Sequence, residues 1–186
     1  SRGLGDVYKR QPYDQLELPG TYGYDFGDYD SDPMDEDEDG HGTHCAGVIS
    51  AVSDNNKGIC GISNAKLMAL KVFNSAGTSY DSAIIAAFNY IYKAQTLGAN
   101  IAAINCSWGG GGSSSTSMKT LINQIGQNGS LFLFAAGNDG EDHDNAISDG
   151  CPYDLDSPYV VTVGASTQTD KKASFSDYGN KTVHLF

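Results

Sequence analysis

Basic residues are scarce in this chain. Eleven Lys and Arg stand against 23 Asp and Glu in 186 residues, a formal net charge of -12. Neutralising a phosphate backbone needs clustered cations, so nucleic acid is excluded as the partner. No apolar run approaches the roughly 18 residues that cross a bilayer, and no membrane span is expected. Cysteine is sparse as well, at four residues. Cys45, Cys60, Cys106 and Cys151 show no CxxC spacing, which sets aside a zinc ribbon and a thioredoxin-type redox site. Full oxidation would allow three pairings, and spacing does not choose among them. No signal peptide is visible, and no internal repeat or interdomain linker stands out.

What is present suits a folded protein. A hydrophobic content of 39% and this length fit one domain with a sizeable core, or most of a larger one. Residues 1–11 (SRGLGDVYKRQ) lack apolar periodicity and resemble a translated adapter read-through. They are set aside as a non-native scar, leaving 12–186 as a partial domain.

Tyr22 to Phe26 reads as a short strand. The acidic run from Asp28 to Asp39 follows, either a solvated loop or a cation-binding rim, and it lacks the Gly and closing Glu of an EF-hand. His41 to Val52 reads as a helix whose small residues, Gly42, Ala46, Gly47, Ser50 and Ala51, predict burial and close backbone packing. Lys66 to Phe73 suits a buried parallel strand. Asp81 to Leu97 is helical on Ile84, Ala87, Phe88 and Ile91, with Gly98 at the stop position. Ile101 to Cys106 is a strand, Trp108 to Ser114 a glycine-rich loop. Thr116 to Asn128 is a second amphipathic helix on Met118, Leu121, Ile122 and Ile125, closed by Gly129. Strands follow at Leu131 to Ala136, at Tyr159 to Val163 and at Thr182 to Phe186. This βαβαβ rhythm predicts an open three-layer α/β/α fold with a mainly parallel sheet and ligands at the carboxyl ends of the strands; the domain is expected to be incomplete at both ends.

Two side chains at such ends carry chemistry. His41 opens a helix and can serve as a base. Asn138 lies just past the strand at Leu131 to Ala136, where its amide can donate to developing negative charge. A rival use of the first segment is metal binding, since His41, His44 and Cys45 share one helical face at i, i+3 and i+4. The segment lacks the glutamate of HExxH.

Residues Gly40 to Ala51 (GHGTHCAGVISA) resemble the histidine signature of the subtilisin-like serine peptidases, the subtilases, and Cys45 is similar to the variant of the proteinase K branch. Leu70-Lys71-Val72, Asn105-Cys106-Ser107-Trp108-Gly109-Gly110, Ala135 to Gly140, Val163-Gly164-Ala165 and Ala173 to Ser176 follow in family order. The resemblance covers about residues 22 to 186. It implies that His41 is the general base of a Ser-His-Asp triad and Asn138 the oxyanion-hole side chain. Ser107, Trp108 and Gly109 would form one edge of the substrate cleft. Ala135, Ala136 and Gly137 would line the opposite wall, with Gly77, Thr78 and Ser79 as the other binding edge. Trp108 is bulkier than the aliphatic residue expected there.

The resemblance also implies two residues that the chain does not carry, an aspartate in an Asp-Thr-Gly or Asp-Ser-Gly motif and a serine in Gly-Thr-Ser-Met-Ala. Ser115-Thr116-Ser117-Met118 imitates the latter weakly and is read as a helix start. The expectation is therefore a fragment, inactive as written, of a secreted microbial endopeptidase. Such a parent would act on proteins or peptides as a monomer, with no cofactor for catalysis. A structural calcium ion near Asp54 and Asn55 is allowed, and no metal ligand set is assigned. His44 is expected as a buried packing partner and Cys106 as a buried thiol or disulfide partner. His143 is expected to be solvated, and His184 is given no role. A non-catalytic pseudopeptidase and a secreted acidic calcium-binding module are the alternatives.

Overall fold

The computed structural model describes residues 23–36, 40–109, 116–144 and 157–186. The chain divides into two units, Ser1–Ala99 and Asn100–Phe186.

In the first unit, β1 (Gly23–Asp25), α1 (His41–Ser50), β2 (Ala69–Lys71) and α2 (Asp81–Thr96) follow in order. β1 and β2 pair in parallel, with Tyr24 opposite Leu70 and Asp25 opposite Lys71. That register brings a cation to a carboxylate that is only 2% exposed. Lys71 Nζ lies 2.6 Å from Asp25 Oδ2 and 2.8 Å from Asp28 Oδ2, while Asp25 Oδ1 accepts the N–H groups of Gly27 and Asp28. A buried charge is tolerable only when it is paired and hydrogen-bonded in this way. Helix α2 buries Ala83, Ile84, Ala87, Phe88, Ile91 and Ala94 on one stripe, as its 3.6-residue pattern predicts. Asp81 in its first turn and Lys93 in its last complement the helix dipole.

Helix α1 departs from expectation. The sequence predicts a buried helix, yet Ser50 is its single buried residue and His41, Gly42, His44 and Val48 are exposed. The close backbone approach is supplied instead by Gly61, whose position has no room for a Cβ beside Ser50 and Ala51. Gly61, Ile62 and Ser63 donate their N–H groups to Ala51, Val48 and Ile49. These are carbonyls at the end of the helix that have no partner within it. Packing is therefore concentrated at the last turn, and the first turn stays open.

In the second unit, β3 (Ala103–Cys106), α3 (Thr116–Gln127), β4 (Leu131–Ala135) and β5 (Val160–Val163) build a parallel sheet ordered β3-β4-β5. Cys106 sits opposite Phe134 and Phe132 opposite Val160. Along β4 the side chains alternate, with Phe132 and Phe134 buried and Leu131 and Ala135 exposed. Full burial of each such ring is worth about 1.5–3 kcal/mol. Helix α3 buries Met118, Leu121, Ile122, Ile125 and Gly126. The final strand expected at 182–186 is reduced to a single parallel bridge, Val163 with Leu185. The fold is α/β with parallel sheets, as the sequence predicts. Among the described residues the pairing forms a two-stranded and a three-stranded sheet, one in each unit, where the sequence suggests one continuous sheet.

Gly126 touches the side chain of Tyr159, which stands where a Cβ would be. Gly126→Ala gains up to about 1 kcal/mol of helix propensity but overpacks this contact, at about 1–3 kcal/mol. The variant should therefore unfold at lower urea concentration than the parent. Equal or greater stability would show that Tyr159 yields freely.

Candidate active site

His41 is the first residue of α1, and its neighbours leave it open. The preceding Gly40 adopts left-handed backbone (φ 59°) and caps the helix without a side-chain bond. The capping role falls to Asp35, whose Oδ2 accepts the Thr43 N–H at 2.9 Å. A carboxylate at a helix N-terminus satisfies an orphan donor and suits the dipole. Sequence reading missed Asp35 because it lay inside an acidic run. Other members of that run serve local turns: Asp30 accepts the Asp32 N–H and Asp32 that of Met34.

One turn along α1, Cys45 Sγ lies 3.7 Å from His41 Nε2. His44 is exposed, contrary to the buried packing role expected for it. Among the described residues no three His, Cys, Asp or Glu side chains come together as a metal site, so His41, His44 and Cys45 do not form one. In the loop after α1, Asn55 Oδ1 accepts the Lys57 N–H at 2.9 Å. Gly77 and Thr78 lie in an exposed turn of the same unit, built by Asn74, which accepts the Thr78 N–H at 2.9 Å.

In the second unit the parallel register puts the ends of β3 and β4 side by side. Ser107, Trp108 and Gly109 leave β3 there. Ser107 Oγ accepts from Asn105 Nδ2 at 2.9 Å, and Trp108 packs edge-on against Phe134 with ring centroids 5.7 Å apart. Gly109 is exposed. Off β4, Ala135 is exposed and Ala136 buried, so their side chains face opposite ways. Gly137 has φ 116° and lies against the Asp177 carboxylate, which leaves no space for a Cβ. The chain then presents Asn138 exposed to solvent.

The loop beyond Asn138 overturns one expectation. His143 is not solvated: it is 8% exposed, with Nε2 2.9 Å from Asp177 Oδ2. Asp177 Oδ1 also accepts the N–H groups of Asp139 and Glu141. Burial pushes the Asp177 pKa up, but the His143 hydrogen bond and these two N–H groups outweigh it and hold the carboxyl below its ordinary range. His184 also has a role, its Nδ1 accepting the Thr162 N–H at 3.0 Å.

Cys106 is buried and its thiol is pushed far up by desolvation, so it is no nucleophile. Cys45, Cys60 and Cys106 are free thiols. Each of the three full pairings would join two of them, so none of those pairings is present. Cys151 lies outside the described residues, as do Ser113 to Ser115.

Residues 9–185 match the profile of the Subtilase family, peptidase S8. The chain belongs to this family. Its relatives include thermitase from Thermoactinomyces vulgaris, 33% identical over 159 residues, covering 85% of this chain and 52% of thermitase. Subtilisin-like protease 2 of Pseudogymnoascus destructans is 34% identical over 152 residues, covering 82% of this chain and 34% of that protein. Among solved structures, a cold adapted subtilisin-like serine proteinase superposes with a TM-score of 0.65 at 30% identity, over 93% of this chain and 57% of that one. The chain thus spans about a third to just over half of the length of these three proteins.

For this subtilase chain the depressed Asp177 pKa fixes a pH dependence. A carboxyl whose folded pKa lies below its unfolded value of about 3.9 stabilises the fold above that value. The contribution is lost as pH falls through the folded pKa. The urea midpoint should therefore hold steady between about pH 7 and 5 and fall below about pH 4. Asp177→Asn should be less stable near neutrality and show a shallower acid fall. An equally steep fall in that variant would assign the acid sensitivity to other carboxyls.

Proposed function

We propose that this chain is the part of a secreted serine endopeptidase that supplies the catalytic base and the oxyanion donor. The supporting observation is the presence, within a family match spanning residues 9–185, of two open positions, one in each unit. His41 stands at an exposed helix mouth and Asn138 just past a buried strand.

In this reading His41 removes the proton of a serine hydroxyl as that oxygen attacks the scissile carbonyl. It returns the proton to the leaving amine, and water then hydrolyses the acyl-enzyme by the same relay. The Asn138 side-chain amide donates to the tetrahedral oxyanion, which bears more charge than the substrate carbonyl, so its bond strengthens at the transition state. The peptide would pair as an added strand along Ser107, Trp108 and Gly109. Ala135, Ala136 and Gly137 would flank it from the next strand end, and Gly77 and Thr78 would form the other binding edge. The serine nucleophile and the aspartate come from sequence outside these residues, so the 186 residues alone are inactive. The protease acts as a monomer and uses no cofactor for catalysis. One observation bears on secretion. A relative 35% identical over 144 residues is the extracellular protease of Xanthomonas campestris pv. campestris. Among the described residues no helix is long and apolar enough to cross a membrane.

The test is expression of the complete coding sequence that contains this chain. The product should hydrolyse protein substrates and be labelled by a serine-directed phosphonate, while the 186-residue chain should not be labelled. His41→Ala should cut kcat by about a millionfold, the order known for subtilisin itself. Asn138→Ala should cut it by about 10²–10³, again the range known for subtilisin. Undiminished activity in His41→Ala would overturn the assignment.

A further inference from the structure

Asn138 lies in a loop, residues 137–143, that is laced to residues 175–178. Asp177 donates its N–H to Gly137 at 3.1 Å, Gly140 to Phe175 at 2.9 Å, Tyr178 to Glu141 at 2.9 Å and His143 to Tyr178 at 2.8 Å. The N–H groups of Asp139 and Glu141 take no part in these four backbone bonds. Both turn to one carboxylate, Asp177, which is 3% exposed and accepts them at 2.8 and 2.9 Å. Its second oxygen faces His143 Nε2 at 2.9 Å.

Asn138 is therefore fixed from both sides by a single group. Asp139, which follows it, is hydrogen-bonded to Asp177 Oδ1. Gly137, which precedes it, lies against Oδ2 so closely that no Cβ fits. An ionised carboxylate only accepts, so the imidazole carries a proton on Nε2, and His143 closes the remaining side of the site. The far side of the segment is held as well. Lys172 Nζ donates to the carbonyl of Ser176 at 2.9 Å and lies 4.9 Å over the Tyr178 ring, and Ser176 Oγ accepts the Ala165 N–H at 2.8 Å.

We propose that Asp177, oriented by His143, is the positioning residue for the oxyanion asparagine. It aims Asn138 by gripping the backbone on either side of it while leaving the Asn138 side chain free. The inference rests on the oxyanion reading of Asn138. Neither Asp177 nor His143 touches substrate.

Two measurements test it. In the 186-residue chain, amide hydrogen exchange at Asp139 and Glu141 should accelerate by about tenfold or more in Asp177→Ala. Exchange in β4 and β5 should stay near the parent rate. Asp177→Asn, which retains an acceptor at Oδ1, should restore most of the protection. Unchanged exchange at both amides in Asp177→Ala would overturn the proposal. In the full-length protease, Asp177→Ala should lower kcat by about 10- to 100-fold, the cost of a misplaced group, with little change in KM. In an Asn138→Ala background it should cost less than about twofold, because a residue acting through Asn138 has nothing left to aim. Losses that multiply, or a change confined to KM, would overturn it while leaving the oxyanion reading intact. An Asn138→Ala protease with full kcat would overturn the oxyanion reading itself. If Asp177→Ala does not fold, His143→Gln is read by the same exchange and the same double-variant comparison.

Discussion

A carboxylate withdrawn from water must be given donors, and that obligation organises both units of this chain. Asp25 meets it with Lys71 and two backbone N–H groups, Asp177 with His143 and two more. Asp144 does the same for the turn at 180–182, accepting the N–H groups of Asn180, Lys181 and Thr182. Loops at strand ends have no ladder to satisfy their backbone, and an aspartate side chain is a compact acceptor for several N–H groups at once. The acidity of the chain is therefore partly architectural.

Parallel pairing supplies the other half of the arrangement. In the second unit all three strands point the same way, so their exits gather at one end. The core under that end is aromatic and tightly held: Phe132 and Phe134 are buried, and Trp108 leans on Phe134 from the β3 exit. A rigid floor of this kind lets the loops above it carry function without carrying stability.

The helices were legible in the sequence because their signal is local. The apolar stripes of α2 and α3 place both helices, and each ends next to a glycine at positive φ, Gly98 and Gly129. Five of the six expected strands form with shortened ends, whereas the one expected at 182–186 is only a bridge to Val163. His143 was misread because its neighbours, Asp142 and Asp144, are polar and its partner lies 34 residues away. No periodic pattern reports such a pair. Helix α1 was misread for a related reason. Its small residues permit burial but do not require it, and the close contact is made by Gly61 from outside the helix. His41 and Asn138 stood out as residue types in motifs, whereas the groups that hold them did not.

Those holding groups follow one plan. Asp35 binds the N–H of Thr43, two residues after His41, and Asp177 binds that of Asp139, one residue after Asn138. A glycine at positive φ precedes each of these two candidate residues, Gly40 at 59° and Gly137 at 116°. In both places the backbone is fixed by a carboxylate from another segment, and the side chains of His41 and Asn138 are left exposed. A side chain used as its own anchor would lose the donor or acceptor that the chemistry needs. A loop without an anchor would have to be ordered at the transition state, where the cost appears in the rate. Separating the two tasks meets both demands, and it requires aspartates whose role is to bind backbone.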